Sequence, residues 1–167
     1  LGGHCIPIDP FYLTWKAKEF GMNTRFVELA GEINTNMPDY VIQKIGEALN
    51  QKNKSIKNSK ILVLGLSYKK NVDDVRESPS LKIIDILLKL GAKVRFNDPY
   101  FDSVPITRKY NFNLQSIEIT EKTLKSFDIV LLATDHDNYN YNLIEKFSNL
   151  IVDTRGRFSN IKKVVRA

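Results

Sequence analysis

The chain has 167 residues, 43% hydrophobic and 26% charged, with a formal charge of +6. That composition is globular, and no apolar run approaches the ~20 residues that a bilayer helix needs, so disordered and membrane-spanning classes are excluded. The positive excess suits an anionic partner: nucleic acid, anionic lipid or a phosphorylated small molecule. One cysteine, Cys5, rules out an internal disulfide and is compatible with a reducing cytoplasm. His4 and His136 are too far apart in sequence to suggest structural zinc, and no metal is expected.

In chain order, Asp9 and Pro10 read as a helix start, with Asp9 as N-cap and Pro10 at the first helical position. Gly21 closes that helix. Phe26, Leu29, Ala30 and Ile33 then share one helical face. Pro38 either kinks this second helix or starts another, and Val41, Ile42, Ile45 and Leu49 continue an apolar stripe. Residues 1–50 therefore read as a helical region whose stripes need another domain or a second chain to cover them. Residues 51–59 read as a lysine-rich solvated linker. They have no interleaved aromatics, which argues against single-stranded nucleic acid.

From residue 60 the pattern changes. KILVLGL (60–66) reads as a buried strand. SPSLKIIDILLKLG (78–91) reads as a helix capped by Ser78 and ended by Gly91. Strands follow at 92–98, 128–134 and 150–154, with a helix at 141–147 and a poorly patterned stretch from Pro99 to Thr120. Strand and helix in alternation predict an α/β fold over 60–167, a Rossmann-like doubly wound parallel sheet. Its ligands would sit beyond the carboxyl ends of the strands. Ser67, Tyr68 and Lys69 lie there, with Asp98, with Thr134, Asp135 and His136, and with Asp153, Thr154 and Arg155. The first strand-to-helix connection, GLSYKKNVDDVRESP, is neither G-x-G-x-x-G nor a P-loop, so a dinucleotide would bind mostly elsewhere.

The opening GGHCIPIDPFYL holds its thiol in an unusual setting. Gly2 and Gly3 allow close backbone approach, Pro7 stiffens the exit, and a helix start just beyond favours a thiolate. A small buried hydrophobe is the alternative for a lone cysteine. Asp9, four residues on, could orient a water while also capping. Neighbours in extended chain point to opposite sides, so His4 is not expected to bond the Cys5 thiol, and a Cys–His hydrolase is disfavoured.

GGHCIPIDPFYL resembles the catalytic-cysteine motif of the nucleotide-sugar 6-dehydrogenases, the UDP-glucose/GDP-mannose dehydrogenase family. LGLSYKKNVDDVRESPS is similar to that family's C-terminal signature, and FNDPY and IVDTRG follow in the expected order. The form GGHCIPIDPFYLTWKA looks closest to the UDP-N-acetylglucosamine or UDP-N-acetylgalactosamine branch, rather than to the UDP-glucose dehydrogenases. The resemblance implies four-electron oxidation of a sugar C6 alcohol, with NAD bound mainly by an N-terminal domain upstream of this fragment. It implies Cys5 as nucleophile and Asp9 as a general-base or water-orienting group. It also implies a UDP-sugar contacted by Leu1, Gly2, Gly3, Tyr68, Lys69 and Arg155, with Arg76 reaching toward NAD. Bland readings stand beside these: Lys69 as a solvated lysine, Arg155 as a surface residue beside Asp153, and Arg76 paired with Asp73, Asp74 or Glu77. The protein is expected to be cytoplasmic and, from the apolar stripes, to form a homodimer or higher homo-oligomer through the central helices, with no nucleic acid and no membrane. A non-catalytic nucleotide-binding and dimerising module is the other reading of the chain.

Overall fold

In the computed structural model, which describes residues 1–159 and 161–167, five short strands form one parallel sheet. They are β1 (Lys60–Leu64), β2 (Lys93–Asn97), β3 (Ile129–Leu132), β4 (Ile151–Asp153) and β5 (Val164–Arg166), in the order β2-β1-β3-β4-β5. The helices are α1 (Cys5–Glu19), α2 (Arg25–Asn50), α3 (Pro79–Lys89), α4 (Glu121–Ser126) and α5 (Tyr141–Phe147). Successive strand residues face opposite sides, and in the central strands β1, β3 and β4 both sides are buried. Ile61, Val63, Ile129 and Leu131 pack with α2 and α3, while Leu62, Leu64, Val130 and Leu132 pack with α4 and α5. This is the expected doubly wound α/β fold. The strand order reverses between β1 and β3, so the crevice for a ligand opens at their carboxyl ends.

α3 follows its sequence signals closely. Ser78 Oγ accepts from the Ser80 amide and Pro79 is the first helical residue. Beyond the helix, Gly91 adopts φ +81°, and the Gly91 and Ala92 amides close a Schellman motif on Leu88 and Leu87. Gly21, with φ +71°, ends α1 in the same way, its amide on Lys18 and that of Met22 on Ala17.

Other expectations need correction. α1 begins at Cys5, not at Pro10. Pro7 falls in the first turn, where its missing N–H has no helical partner to lose, so only Pro10 breaks the ladder. Asp9 is therefore an exposed helical residue and not a cap. α2 runs unbroken through Pro38 for 26 residues. Its stripe Val41, Ile45 and Leu49 needs no second chain, because all three are buried against this chain's own sheet. Each such burial contributes about 1.5–3 kcal/mol before entropy. The N-terminal half differs: Phe26, Leu29, Ile33, Met37 and Tyr40 stay exposed. α4 and β5 were not expected. α4 has six residues and is capped by a Thr120–Thr123 box, and β5 has three residues.

Candidate active site

The crevice between β1 and β3 is closed by its own residues. Gly65 has φ +91°, and a Cβ there would stand 2.4 Å from the Cβ of Thr134. Next to it Asp98, at the end of β2, is 4% exposed. Its Oδ2 accepts from the amides of Leu66 (2.6 Å) and Ser67 (3.2 Å), and its Oδ1 from the amide of Tyr100 (2.8 Å). His136 Nε2 lies 3.1 Å from Oδ2. Burial pushes the Asp98 carboxyl up, but hydrogen bonds from His136, Tyr100 and Leu66 outweigh it and hold the group below the usual aspartate value.

The loop from Ser67 to Glu77 projects from this crevice and carries Tyr68, Lys69 and Arg76. The Tyr68 amide donates to Asp74 O (2.9 Å), which folds the loop back on itself. Lys69 is exposed, its Nζ 5.5 Å from the centre of the Tyr68 ring. Arg76 grips Asp74 through Nε (2.9 Å to Oδ2) and a terminal nitrogen (2.7 Å). Of its three local carboxylates, Asp74 is thus the one it engages. That pair lowers the Asp74 carboxyl and raises the Arg76 guanidinium.

The N-terminal glycines dock on this loop. The Gly3 amide donates to Arg76 O at 2.9 Å. A Cβ on Gly2 would meet Glu77 O at 2.4 Å, and one on Gly3, which has φ +86°, would meet the Tyr68 ring at 2.8 Å. Only glycine allows this approach. The resemblance gave Gly2, Gly3 and Tyr68 to the sugar nucleotide and Arg76 to NAD; in the fold these four residues lie side by side.

Cys5 follows at once, exposed, as the first residue of α1, where orphan amides favour negative charge. His4 has helical backbone angles (φ −93°, ψ −50°), so the extended-chain geometry expected for it does not hold. The donor atoms of His4, Cys5 and Asp9 lie within 4.8 Å of one another, all exposed, with His4 Nδ1 3.9 Å from Asp9 Oδ1.

Two clefts flank this docked strand. One, of about 510 Å³, is lined by Gly3, His4, Asn34, Arg76, Arg108 and Lys109, among others. The second, of about 420 Å³, is lined by Leu1, Asn34, Met37, Ala133, Thr154 and Arg155. Arg155 is fixed by Nε donating to Ala133 O at 2.7 Å. Asn34 brackets Leu1: its Nδ2 donates to Leu1 O at 2.9 Å. Sequence reasoning missed Asn34, Arg108 and Lys109. The last two come from the unpatterned stretch 99–120, where the one signal was the basic pair itself.

The result is a doubly wound α/β protein with an exposed thiol at the first turn of α1, next to glycines docked on the Ser67–Glu77 loop. The UDP binding domain of the UDP-glucose/GDP-mannose dehydrogenase family matches residues 62–160, and that family's central domain matches residues 1–36. The chain belongs to this family. It is 36% identical over 139 residues to the UDP-N-acetyl-D-mannosamine dehydrogenase of Methanococcus maripaludis, covering 83% of this chain and 29% of that protein. It is 32% identical to Protein CapL of Staphylococcus aureus over 100% of this chain and 38% of the relative. Among solved structures, the UDP-D-ManNAc dehydrogenase of Pyrococcus horikoshii superposes with a TM-score of 0.79 at 30% identity, over 99% of this chain and 38% of that one. The chain thus spans about a third of the length of these relatives.

Proposed function

We propose that the chain forms the nucleophile-bearing and UDP-holding part of an NAD-dependent nucleotide-sugar 6-dehydrogenase. Its substrate is a UDP-N-acetylhexosamine, oxidised at C6 to the uronic acid. The observation that carries this reading is Cys5 itself, exposed at the first turn of α1 on a glycine strand docked against the Ser67–Glu77 loop. Relatives named as dehydrogenases of UDP-N-acetyl-D-mannosamine and UDP-N-acetyl-D-glucosamine support the substrate class.

The residues here do not fit a dinucleotide. Thr134 fills the space a tight turn would need at Gly65, and Ser67 Oγ and Ser78 Oγ bond the loop's own carbonyls of Val72 and Leu66. NAD is therefore assigned to a part of the protein outside this sequence, with Arg76 as its one candidate contact here. Bound there, it would accept the hydrides.

This chain's part is covalent. The Cys5 thiolate adds to the C6 aldehyde, forming a C–S bond and a thiohemiacetal. After the adduct is oxidised to a thioester, water attacks the carbonyl carbon and the C–S bond breaks. The acid and the thiolate are released. In this reading Asp9, one helical turn from Cys5, orients that water and takes its proton. Lys69 and Arg155 offer charge to the diphosphate. The exposed row Phe26, Leu29, Ile33, Met37 and Tyr40 recurs at heptad-like spacing and supports pairing of two subunits along α2.

Cys5→Ala in the complete protein tests the assignment. Aldehyde formation should survive and acid formation should fail, read as NADH formed per sugar consumed with product mass. Two NADH and one acid per sugar at near wild-type rate would exclude Cys5 as nucleophile.

A further inference from the structure

We infer that His136 is a positioning residue for the nucleotide-sugar site, the latch that holds the Tyr68–Arg76 loop in its binding shape; this rests on the function proposed above. His136 is fully buried, between the rings of Tyr100 (5.2 Å) and Tyr139 (5.6 Å). Nδ1 accepts the backbone amide of Asn71 at 3.0 Å. That bond leaves the ring proton on Nε2, which donates to Asp98. One ring thus joins the end of β2, the end of β3 and the tip of the loop that leaves β1.

The tip needs such a hold. Asn71 has φ +61°, a left-handed conformation that asparagine tolerates. It sits between Tyr68 and Arg76 in the chain and is gripped from the β3 side a second time. Its Nδ2 donates to Asp137 Oδ2 (2.6 Å), and its Oδ1 accepts the Asp137 amide (3.0 Å). Lys70 Nζ adds a weaker contact to Asp137 at 3.4 Å. The base of the loop is fixed separately, by Asp98 on the Leu66 and Ser67 amides and by Thr134 Oγ1 on Ser67 O at 2.6 Å. Freeing the tip would therefore leave the sheet intact. It would loosen Tyr68, Lys69 and Arg76, and with Arg76 the carbonyl on which Gly3 and the Cys5 strand are hung.

Two substitutions separate positioning from simple stability. Asparagine places an acceptor near the Nδ1 position, and glutamine places a donor near Nε2. His136→Asn thus keeps the Asn71 bond and loses the one to Asp98. His136→Gln does the reverse. A merely structural histidine would treat the two losses alike. The test measures UDP affinity by calorimetry and amide exchange of the peptide spanning 67–77, in the complete protein and well below its melting temperature. His136→Gln should weaken UDP binding by about tenfold, the scale of one hydrogen bond, and speed exchange in 67–77 while β1 and β3 stay protected. His136→Asn should stay within about threefold of wild type. Asp137→Ala, at an exposed position that does not threaten folding, should loosen the same peptide from outside and weaken UDP in the same direction. Equal effects of the two His136 variants, or loop exchange unchanged in His136→Gln and Asp137→Ala, would overturn the latch. Faster exchange with unaltered UDP affinity would overturn its role at the site. If wild-type protein itself fails to bind UDP, the proposed function fails, while the exchange data still decide whether His136 holds the loop.

Discussion

Gly2→Ala should uncouple the cysteine strand from the sheet domain. A Cβ at residue 2 would stand 2.4 Å from Glu77 O, 2.9 Å from the Tyr68 Cβ and 3.0 Å from the Pro79 Cδ. A backbone carbonyl, a Cβ and a proline ring are not the free ends of flexible side chains, so none can swing away. Overpacking of this kind costs about 1–3 kcal/mol. If the strand lifts to relieve it, the Gly3 to Arg76 hydrogen bond goes too, for about 0.5–1.5 kcal/mol more. The docked state should therefore lose about 2–4 kcal/mol, enough to leave the strand mostly undocked if its docking is marginal. Gly46→Ala is the matched control. It lies inside α2, and its Cβ would meet only Ile56 Cδ1 at 3.7 Å. It should stabilise the protein by roughly 0.5–1 kcal/mol. The assay is the rate of Cys5 alkylation by iodoacetamide alongside kcat and thermal melting. Gly2→Ala should change the alkylation rate and lower kcat by more than tenfold, while Gly46→Ala leaves both unchanged and raises Tm. Wild-type alkylation and kcat in Gly2→Ala would refute the claim that this close approach holds the nucleophile.

Three further outcomes follow from the geometry. Arg155→Ala should weaken UDP-sugar binding by about 1.5–3 kcal/mol, with NAD affinity nearly unchanged; calorimetry giving the reverse pattern would reassign it. Asp98 has a folded-state pKa held below its ordinary 3.8, so its stabilisation is complete above that pH and is lost as pH falls through the lower folded value. Melting curves from pH 6 downward should therefore fall more gently for Asp98→Asn than for wild type, from a lower starting Tm, and parallel curves would exclude Asp98 as a contributor to acid loss. Ile33→Asp, on the exposed row of α2, should shift the complete protein toward monomer in sedimentation with its helix content kept; an unchanged assembly would move the subunit contact elsewhere.

β1, β3 and β4 were legible as short continuous apolar runs, β2 as an alternating one, and α3 because a Ser-Pro start and a Gly end bracket it, while the three-residue β5 was too short to stand out. The start of α1 was not. Asp9 and Pro10 imitate an N-terminus, but Pro7 is harmless in a first turn and Pro10 forfeits one bond, which the rest of α1 outweighs. Legibility of the site divides in the same way. Glycines 2 and 3, Tyr68 and Arg76 could each be singled out from their motifs, but not as neighbours. Their actual coupling is a backbone hydrogen bond and two contacts that exclude a Cβ, which no side-chain pattern reports. Arg108 and Lys109 escaped because their loop has neither period. It is held by irregular bonds such as Thr107 with Tyr110 and by Tyr110 and Phe112 packed on the core.

The filled crevice also bears on where the diphosphate of the proposed substrate would be held. In a dinucleotide fold, glycine amides at the first turn cradle the pyrophosphate and little side-chain charge is needed. Here that turn is occupied. Gly65 is closed by Thr134, and the Leu66 and Ser67 amides are already spent on Asp98. A diphosphate must then be met further out, by side chains. The clefts beside the docked strand carry Arg76, Lys82, Arg108, Lys109 and Arg155, and much of this charge is already committed. Asp74 holds Arg76, Glu77 holds Lys109 and Asp39 holds Lys82. Among the described residues, the Arg155 side chain keeps only a carbonyl and a carboxylate 4.0 Å away. On the proposed function, a diphosphate would meet Arg155 with little local competition and Arg76 only by displacing Asp74, which makes Arg155 the stronger candidate for holding UDP.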